Sequence, residues 1–204
     1  KTTILKLLVG FYKTTKGEVL YDNKKLNKTQ DKLREEIGFT TQDSAFYPKL
    51  TVEENIRYFG ALYGLKKQTI ENNLERILKL VELEDVRSKT AEYLSGGMQR
   101  RLDMACSLIH VPRVVILDEP TEDLDPVLRK EILHLIRKIK EIGTTVIITS
   151  HRLDDIEQVC DRVAILHNKK IIRAGALNQL KKQYSEDEEI HIQTFPGDYK
   201  TIIK

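Results

Sequence analysis

Two adjacent carboxylates closing an apolar run, "RVVILDEPT", are the first residues whose types and spacing promise chemistry. Four consecutive β-favouring residues describe a strand buried on both faces that delivers Asp118 and Glu119 at its C-terminal tip. That edge of an open parallel sheet is where ligands bind. Neighbouring side chains at a strand end point different ways, so one carboxylate can face a Mg2+ ion while the other reaches a water. "TTVIITSH" repeats the pattern, ending in Ser150 and His151, and "EIGFTTQD" is a short strand ending at Gln42. In isolation each has a plain structural reading: an acidic turn, a surface imidazole, a strand that stops.

Two further stretches suit an anion. "LSGGMQRRL" sets Ser95, a good N-cap, ahead of Gly96 and Gly97 and a helix. Free backbone N–H groups and the positive helix end form an anion site, and glycines let another molecule approach the backbone closely. The opening "KTT" has the form of the last residues of a phosphate-binding loop, G-x-x-x-x-G-K-[ST], without glycines before Lys1. By itself the triplet reads equally as a solvated helix start.

The elements that must position these residues alternate between strand and helix patterns, which predicts an α/β fold with a parallel sheet. The opening helix places Ile4, Leu5, Leu8 and Phe11 on one face, with Gly10 where it could stop. "GEVLYDNKKL" reads as a strand and turn, Asn23 taking the left-handed conformation. From Leu50 to about Leu83 the period is helical, opened by a capping box from Thr51 to Glu54. "PVLRKEILHLIRKIKEI" is a helix with Pro126 in its first turn and Gly143 at its exit. "DRVAILHNKKIIRAG" returns to strand. An all-helical insertion therefore interrupts an α/β core. Further on, "SEDEE" reads as a solvated connector, "IHIQTF" as a strand and "DYKTIIK" as the beginning of another element.

Composition sets the class. With 204 residues, 40% hydrophobic and 32% charged, the chain belongs with folded globular proteins. No apolar run approaches the roughly 20 residues a membrane-spanning helix needs. The net charge of +3, with both signs interspersed, gives no ground for expecting nucleic acid. Cys106 and Cys160 lack metal spacing and read as two buried thiols in a reducing compartment.

Taken in order, Lys1-Thr2-Thr3, Gln42, Leu94-Ser95-Gly96-Gly97-Met98-Gln99, the strand into Asp118-Glu119, Leu124-Asp125 and His151 resemble an ABC-type ATPase, the ATP-binding subunit of ABC transporters. The resemblance covers residues 1 to about 180. It implies a P-loop NTPase (RecA-like) fold: a mostly parallel sheet core with an antiparallel β subdomain and an all-helical insertion. The family's first strand, P-loop glycines and adenine-stacking aromatic are expected outside this sequence. An ABC ATPase domain over 1–182 is implied, with core 1–43 and 105–182, helical subdomain 44–104, and the start of a small C-terminal extension at 183–204. As it stands, the sequence is expected to bind ATP weakly or not at all.

The resemblance also implies roles, with ATP and Mg2+ as cofactors. Lys1 would reach the β- and γ-phosphates, Thr2 would ligate Mg2+, and Thr3 would support the α-phosphate. Asp118 would hold the metal, Glu119 would be the general base, and His151 would contact the γ-phosphate. Gln42 would touch metal and water. Ser95, Gly96, Gly97 and Gln99 would act on the nucleotide of a second ATPase subunit, paired head to tail, with Asp125 in the loop crossing between them. Asp123 departs from the small residue common in the family, which implies slower turnover.

Roughly fifty residues separate Gln42 from Ser95, too few for the coiled-coil arms of DNA-repair relatives. "AFYPKLTVEENIRYFGALYGL" is similar to the segment that receives coupling helices from integral membrane permease subunits. Phe46, Tyr47, Tyr58, Phe59 and Tyr63 there are divided between core and docking surface. The implied function is ATP hydrolysis powering an ABC transporter of exporter type, on the cytoplasmic face of the membrane. A soluble ABC ATPase acting in translation and a non-catalytic regulatory subunit are the alternatives.

Overall fold

The structure, a computed structural model, describes residues 1–25 and 35–184; the acidic run, "IHIQTF" and "DYKTIIK" lie outside the described residues. The chain divides into two compact units, Lys1–Val159 and the residues from Cys160 onward.

At the centre of the first unit stand three parallel strands in the order β3, β4, β5: Ile37–Thr40, Val114–Asp118 and Thr145–Thr149. Thr40 pairs with Leu117, and Asp118 with Thr149, so the chemistry-bearing ends of all three strands finish side by side. The mixture of a parallel sheet, antiparallel hairpins and helices is the α/β architecture expected. Against one face lies α1, Thr2–Leu8, where Leu5 packs with Ile37 and Ile116 and with half-buried Leu8, Val19 and Tyr21. A hairpin, β1 Leu20–Tyr21 and β2 Lys24–Lys25, turns through Asp22 and Asn23, both left-handed at φ 47° and 61°.

The first helix is shorter than its pattern. Gly10 at φ 72° ends it before Phe11, which is 72% exposed and rests edge-on against Tyr12; Ile4 is also exposed. The shared face thus reduces to Leu5 and Leu8.

A helical layer follows β3: α2 Val52–Leu62, α3 Lys67–Val81 and α4 Gly96–Leu108 pack together. Ile56, Leu74, Leu78, Leu102 and Met104 are fully buried within it. The capping box is present, with Thr51 accepting from the Glu54 amide and the Glu54 carboxylate accepting from the Thr51 amide. Asn55, wholly buried, accepts from the Tyr47 amide and donates to the Tyr47, Leu50 and Thr51 carbonyls, fixing the approach to α2. The aromatics divide as well: Phe46 is buried, whereas Tyr47 and Tyr58 are exposed and meet edge to face at 4.8 Å.

Tyr63 stacks on His110 with ring centroids 3.6 Å apart, and among the described residues neither imidazole nitrogen has a hydrogen-bond partner. Burial lowers the His110 pKa from 6.5 to about 4, while the nearby Ile37 backbone, short of a hydrogen bond, opposes this weakly. The unfolded chain therefore binds a proton there that the folded chain refuses. Stability from this group is complete above about pH 6.5 and drains away as pH falls toward about 4. With partial exposure discounted, the loss is about 2 kcal/mol. Urea titrations at pH 7 and pH 5 should show His110→Phe losing less stability than wild type; equal losses would contradict the assignment.

After β4 come α5, Pro126–Glu141, and α6, Leu153–Val159, on either side of β5 in sequence. Gly143 at φ 93° provides the exit from α5. The second unit holds β6 Arg162–His167 and β7 Lys170–Ala176, an antiparallel hairpin turned by left-handed Asn168 and Lys169. Helix α7, Leu177–Tyr184, follows, with Leu180 buried beside Gly175. Cys106 is buried as expected, but Cys160, where the chain leaves α6, is only half-buried, and neither is in a disulfide.

Candidate functional site

Strand β4 ends in a carboxylate taken fully out of water. Asp118 is 1% exposed; its Oδ1 accepts a short hydrogen bond from the Thr149 hydroxyl at the tip of β5. Its Oδ2 is buried with no hydrogen-bond partner among the described residues. An ionised oxygen cannot rest in such a place without compensation. A hydrated divalent cation would supply it, and Mg2+ beside substrate phosphates needs only one or two protein carboxylates. No group of three or more acidic, His or Cys ligands occurs among the described residues.

Glu119 points elsewhere. Its Oε1 lies 2.6 Å from the Lys1 ammonium, and its Oε2 meets His151 Nδ1 at 3.1 Å and the His151 amide at 3.2 Å. Facing a carboxylate, Nδ1 must carry its proton, leaving Nε2 for a second partner. The Glu119 backbone is left-handed at φ 49°, a conformation non-glycine residues adopt only when their surroundings hold them there. Here the amide donates to both oxygens of Thr149, at 3.1 and 3.2 Å, and the carbonyl accepts from Arg100 at 3.2 Å.

Lys1, Asp118, Glu119 and His151 are thus brought together. Gln42 lies two residues beyond the end of β3, exposed, and its carbonyl accepts from Arg100 at 3.2 Å. Thr2 and Thr3 open α1 directly after Lys1. Of the two polar residues after β5's apolar run, Ser150 turns away and accepts from the Arg152 amide. Thr149, which the sequence reading passed over, takes the inward place.

The Ser95 segment is built separately. Ser95 is exposed and caps α4 through the Met98 amide, while Gln99 donates to the Ala91 carbonyl. Gly96 faces open space, whereas a Cβ at Gly97 would lie 2.7 Å from Leu128 of α5, so that glycine answers to internal packing. Among the described residues, no hydrogen bond joins this segment to the Lys1–Glu119–His151 group. Asp125 caps α5, accepting from the Val127 and Leu128 amides, and Asp123 sits left-handed at φ 58°.

Sequence reasoning also missed a buried clasp behind the site. The Thr121 hydroxyl donates to Asp155 at 2.6 Å and Arg129 lies 3.4 Å from the same carboxylate, tying the turn after Glu119 to the helix after His151. Its only sequence signal is polar residues at apolar-periodic positions.

Comparison with known proteins gives concordant results. Residues 1–122 match the family described as "ABC transporter". The chain is 34% identical over 189 residues to a probable multidrug ABC transporter ATP-binding protein, YbhF of Escherichia coli, covering 93% of this chain and 32% of that one. It is 32% identical to the linearmycin resistance ATP-binding protein LnrL of Bacillus subtilis, covering 94% of this chain and 62% of that one. The chain therefore spans about a third of the first relative's length and about three fifths of the second's. Among solved structures, cbiO1 from Clostridium perfringens, part of the ABC transporter complex cbiONQ, aligns at 30% identity and TM-score 0.81, covering 89% of this chain and 74% of that one. A dimeric post-hydrolysis structure of the ATP-binding cassette MJ0796, bound to ADP and Pi, aligns at 27% identity and TM-score 0.74, covering 86% of this chain and 80% of that one.

Proposed function

This chain belongs to the ABC transporter family, and on that premise we propose that it is the ATP-hydrolysing subunit of an exporter, working by ATP-dependent pairing of two such subunits. The observation that supports this reading most is the division of labour at the strand tips. One buried carboxylate carries an unmet oxygen at Asp118, and a second at Glu119 is aimed by a lysine and an imidazole.

Lys1 exchanges its Glu119 partner for phosphate oxygens when nucleotide binds, and Thr3 supports the phosphates nearest it. Thr2, Gln42 and the Oδ2 of Asp118 would hold Mg2+, which when bound would neutralise charge on the phosphate oxygens. Released from Lys1, Glu119 accepts a proton from the attacking water as the new phosphorus–oxygen bond forms and the bond to the leaving ADP oxygen breaks. His151 keeps the carboxylate oriented through Nδ1. Most of the acceleration is positioning and charge stabilisation, which is why so few reactive groups suffice.

Ser95, Gly96 and Gln99 serve the nucleotide of the second copy: the exposed N-terminus of α4 is free to meet a phosphate, with Gly97 keeping that helix against α5 and Asp125 shaping the loop between. Closure of the pair by ATP and release after hydrolysis turn the chemistry into motion. No helix among the described residues is long and apolar enough to cross a membrane. In this reading integral permease subunits carry the cargo and are received on exposed Tyr47 and Tyr58. A cytoplasmic, peripheral position follows from that arrangement. The multidrug and resistance names of the relatives favour an exporter over a role in translation.

ATP turnover by the full-length protein, compared with Glu119→Gln, tests this reading against a non-catalytic subunit. Asp123 gives a finer check. Its left-handed backbone suits glycine better than aspartate, and its carboxylate adds negative charge to the loop that would face the partner's phosphates. Asp123→Gly should raise kcat severalfold in a phosphate-release assay; an unchanged rate would show the charge to be harmless.

A further inference from the structure

Arg100 carries a charge for which the roles above give no use. It is 9% exposed, and among the described residues no carboxylate forms an ion pair with it. Burying a guanidinium is costly unless its donors are satisfied. They are satisfied by backbone carbonyls of two different strand ends: Thr41 and Gln42 after β3, both at 3.2 Å, and Glu119 after β4, also at 3.2 Å. One turn along α4, Asp103 accepts from the Ala45 amide at 2.8 Å. The helix therefore grips both ends of the 41–45 loop, and through Arg100 it also grips the Glu119 peptide.

We propose that Arg100 is a positioning residue that locks the Gln42 loop and the Glu119 turn to the helix begun by Ser95, so that docking at the Ser95 end is felt at the catalytic carboxylate. This rests on the ATPase reading. The strained Glu119 peptide is pinned at its amide by Thr149 and at its carbonyl by Arg100; loosening either side lets the carboxylate drift. The guanidinium fork reaches carbonyls of both segments at once, which a lysine, a single point of charge, does not. Because Arg100 lies five residues beyond Ser95 on the same rigid helix, any tilt of α4 on meeting a second copy pulls on both segments together.

The test is steady-state ATP hydrolysis by the full-length protein, as wild type, Arg100→Gln, Arg100→Lys, Gln42→Ala, and Arg100→Gln combined with Gln42→Ala. A misplaced catalytic group costs up to about 100-fold, so Arg100→Gln should lower kcat roughly 10- to 100-fold while KM for ATP stays within about threefold. Arg100→Lys should recover part of the loss. The double variant should fall short of the product of the single effects, because both act through one loop. Wild-type kcat in Arg100→Gln overturns the proposal, as do kcat and KM losses that merely track a lowered Tm equally in both variants. If Arg100→Gln does not fold, Arg100→Lys decides, wild-type kcat there being contradictory. A wild type that hydrolyses no ATP removes the ATPase reading itself, and this proposal with it, a result distinct from the others.

Discussion

Replacing Glu119 by Gln should lower ATP turnover by about 1,000-fold while leaving nucleotide affinity within a few-fold of wild type, or tighter. Glutamine has nearly the same shape, so the left-handed turn, the Arg100 bond to its carbonyl and the Thr149 bonds to its amide all persist. What disappears is the acceptor for a water's proton. Lys1 also loses the carboxylate 2.6 Å from its ammonium, so phosphate no longer has to displace an internal partner. Phosphate release under saturating ATP measures the first effect, and titration with a fluorescent nucleotide the second. Turnover within tenfold of wild type would mean that Glu119 is not the base.

Gly38→Ala should reduce stability by about 3 kcal/mol, in the upper range for an overpacked core. A Cβ at Gly38 would stand 2.2 Å from the Ser107 carbonyl oxygen and 3.1 Å from its carbon. Those atoms belong to the backbone of α4, and no side-chain rotation relieves the clash. Either β3 leaves its register on β4 or α4 lifts from the sheet, and both movements break the 3.1 Å hydrogen bond between Thr40 and Ser107. The same displacement carries Arg100 away from the Gln42 loop, so activity should fall together with stability. Urea denaturation measures the loss. Gly96→Ala is the control: nothing lies within 4 Å of its Cβ direction, and stability should change by less than about 0.5 kcal/mol. A Gly38→Ala loss as small as that would mean that β3 and α4 do not pack this closely.

The contrast between these two glycines marks how far the sequence could be read. Asp118, Glu119, His151 and Ser95 were legible because each sits at the end of a strongly patterned element, where local rules of strand and helix termination apply. The Thr51 capping box and Pro126 were legible for the same reason. Gly38 was not, because its need for a bare Cα comes from a helix more than sixty residues further along the chain. Arg100, Thr149, Asn55 and the Thr121–Asp155 pair are likewise defined by partners distant in sequence or by loop carbonyls that no spacing rule locates. Phe11 shows the opposite error: a helical period continued on paper past a glycine that had already turned the backbone. For Ser95, which caps α4 through the Met98 amide, the proposed role lies in a site shared between two copies.

The proposed sharing is tested most directly by the mass of the full-length Glu119→Gln protein in light scattering with and without Mg2+-ATP. Saturating ATP should double the mass, and Ser95→Glu, which sets a carboxylate against the partner's phosphates, should return it to that of one chain. A mass unchanged by ATP, or a doubling indifferent to Ser95→Glu, would contradict the head-to-tail site.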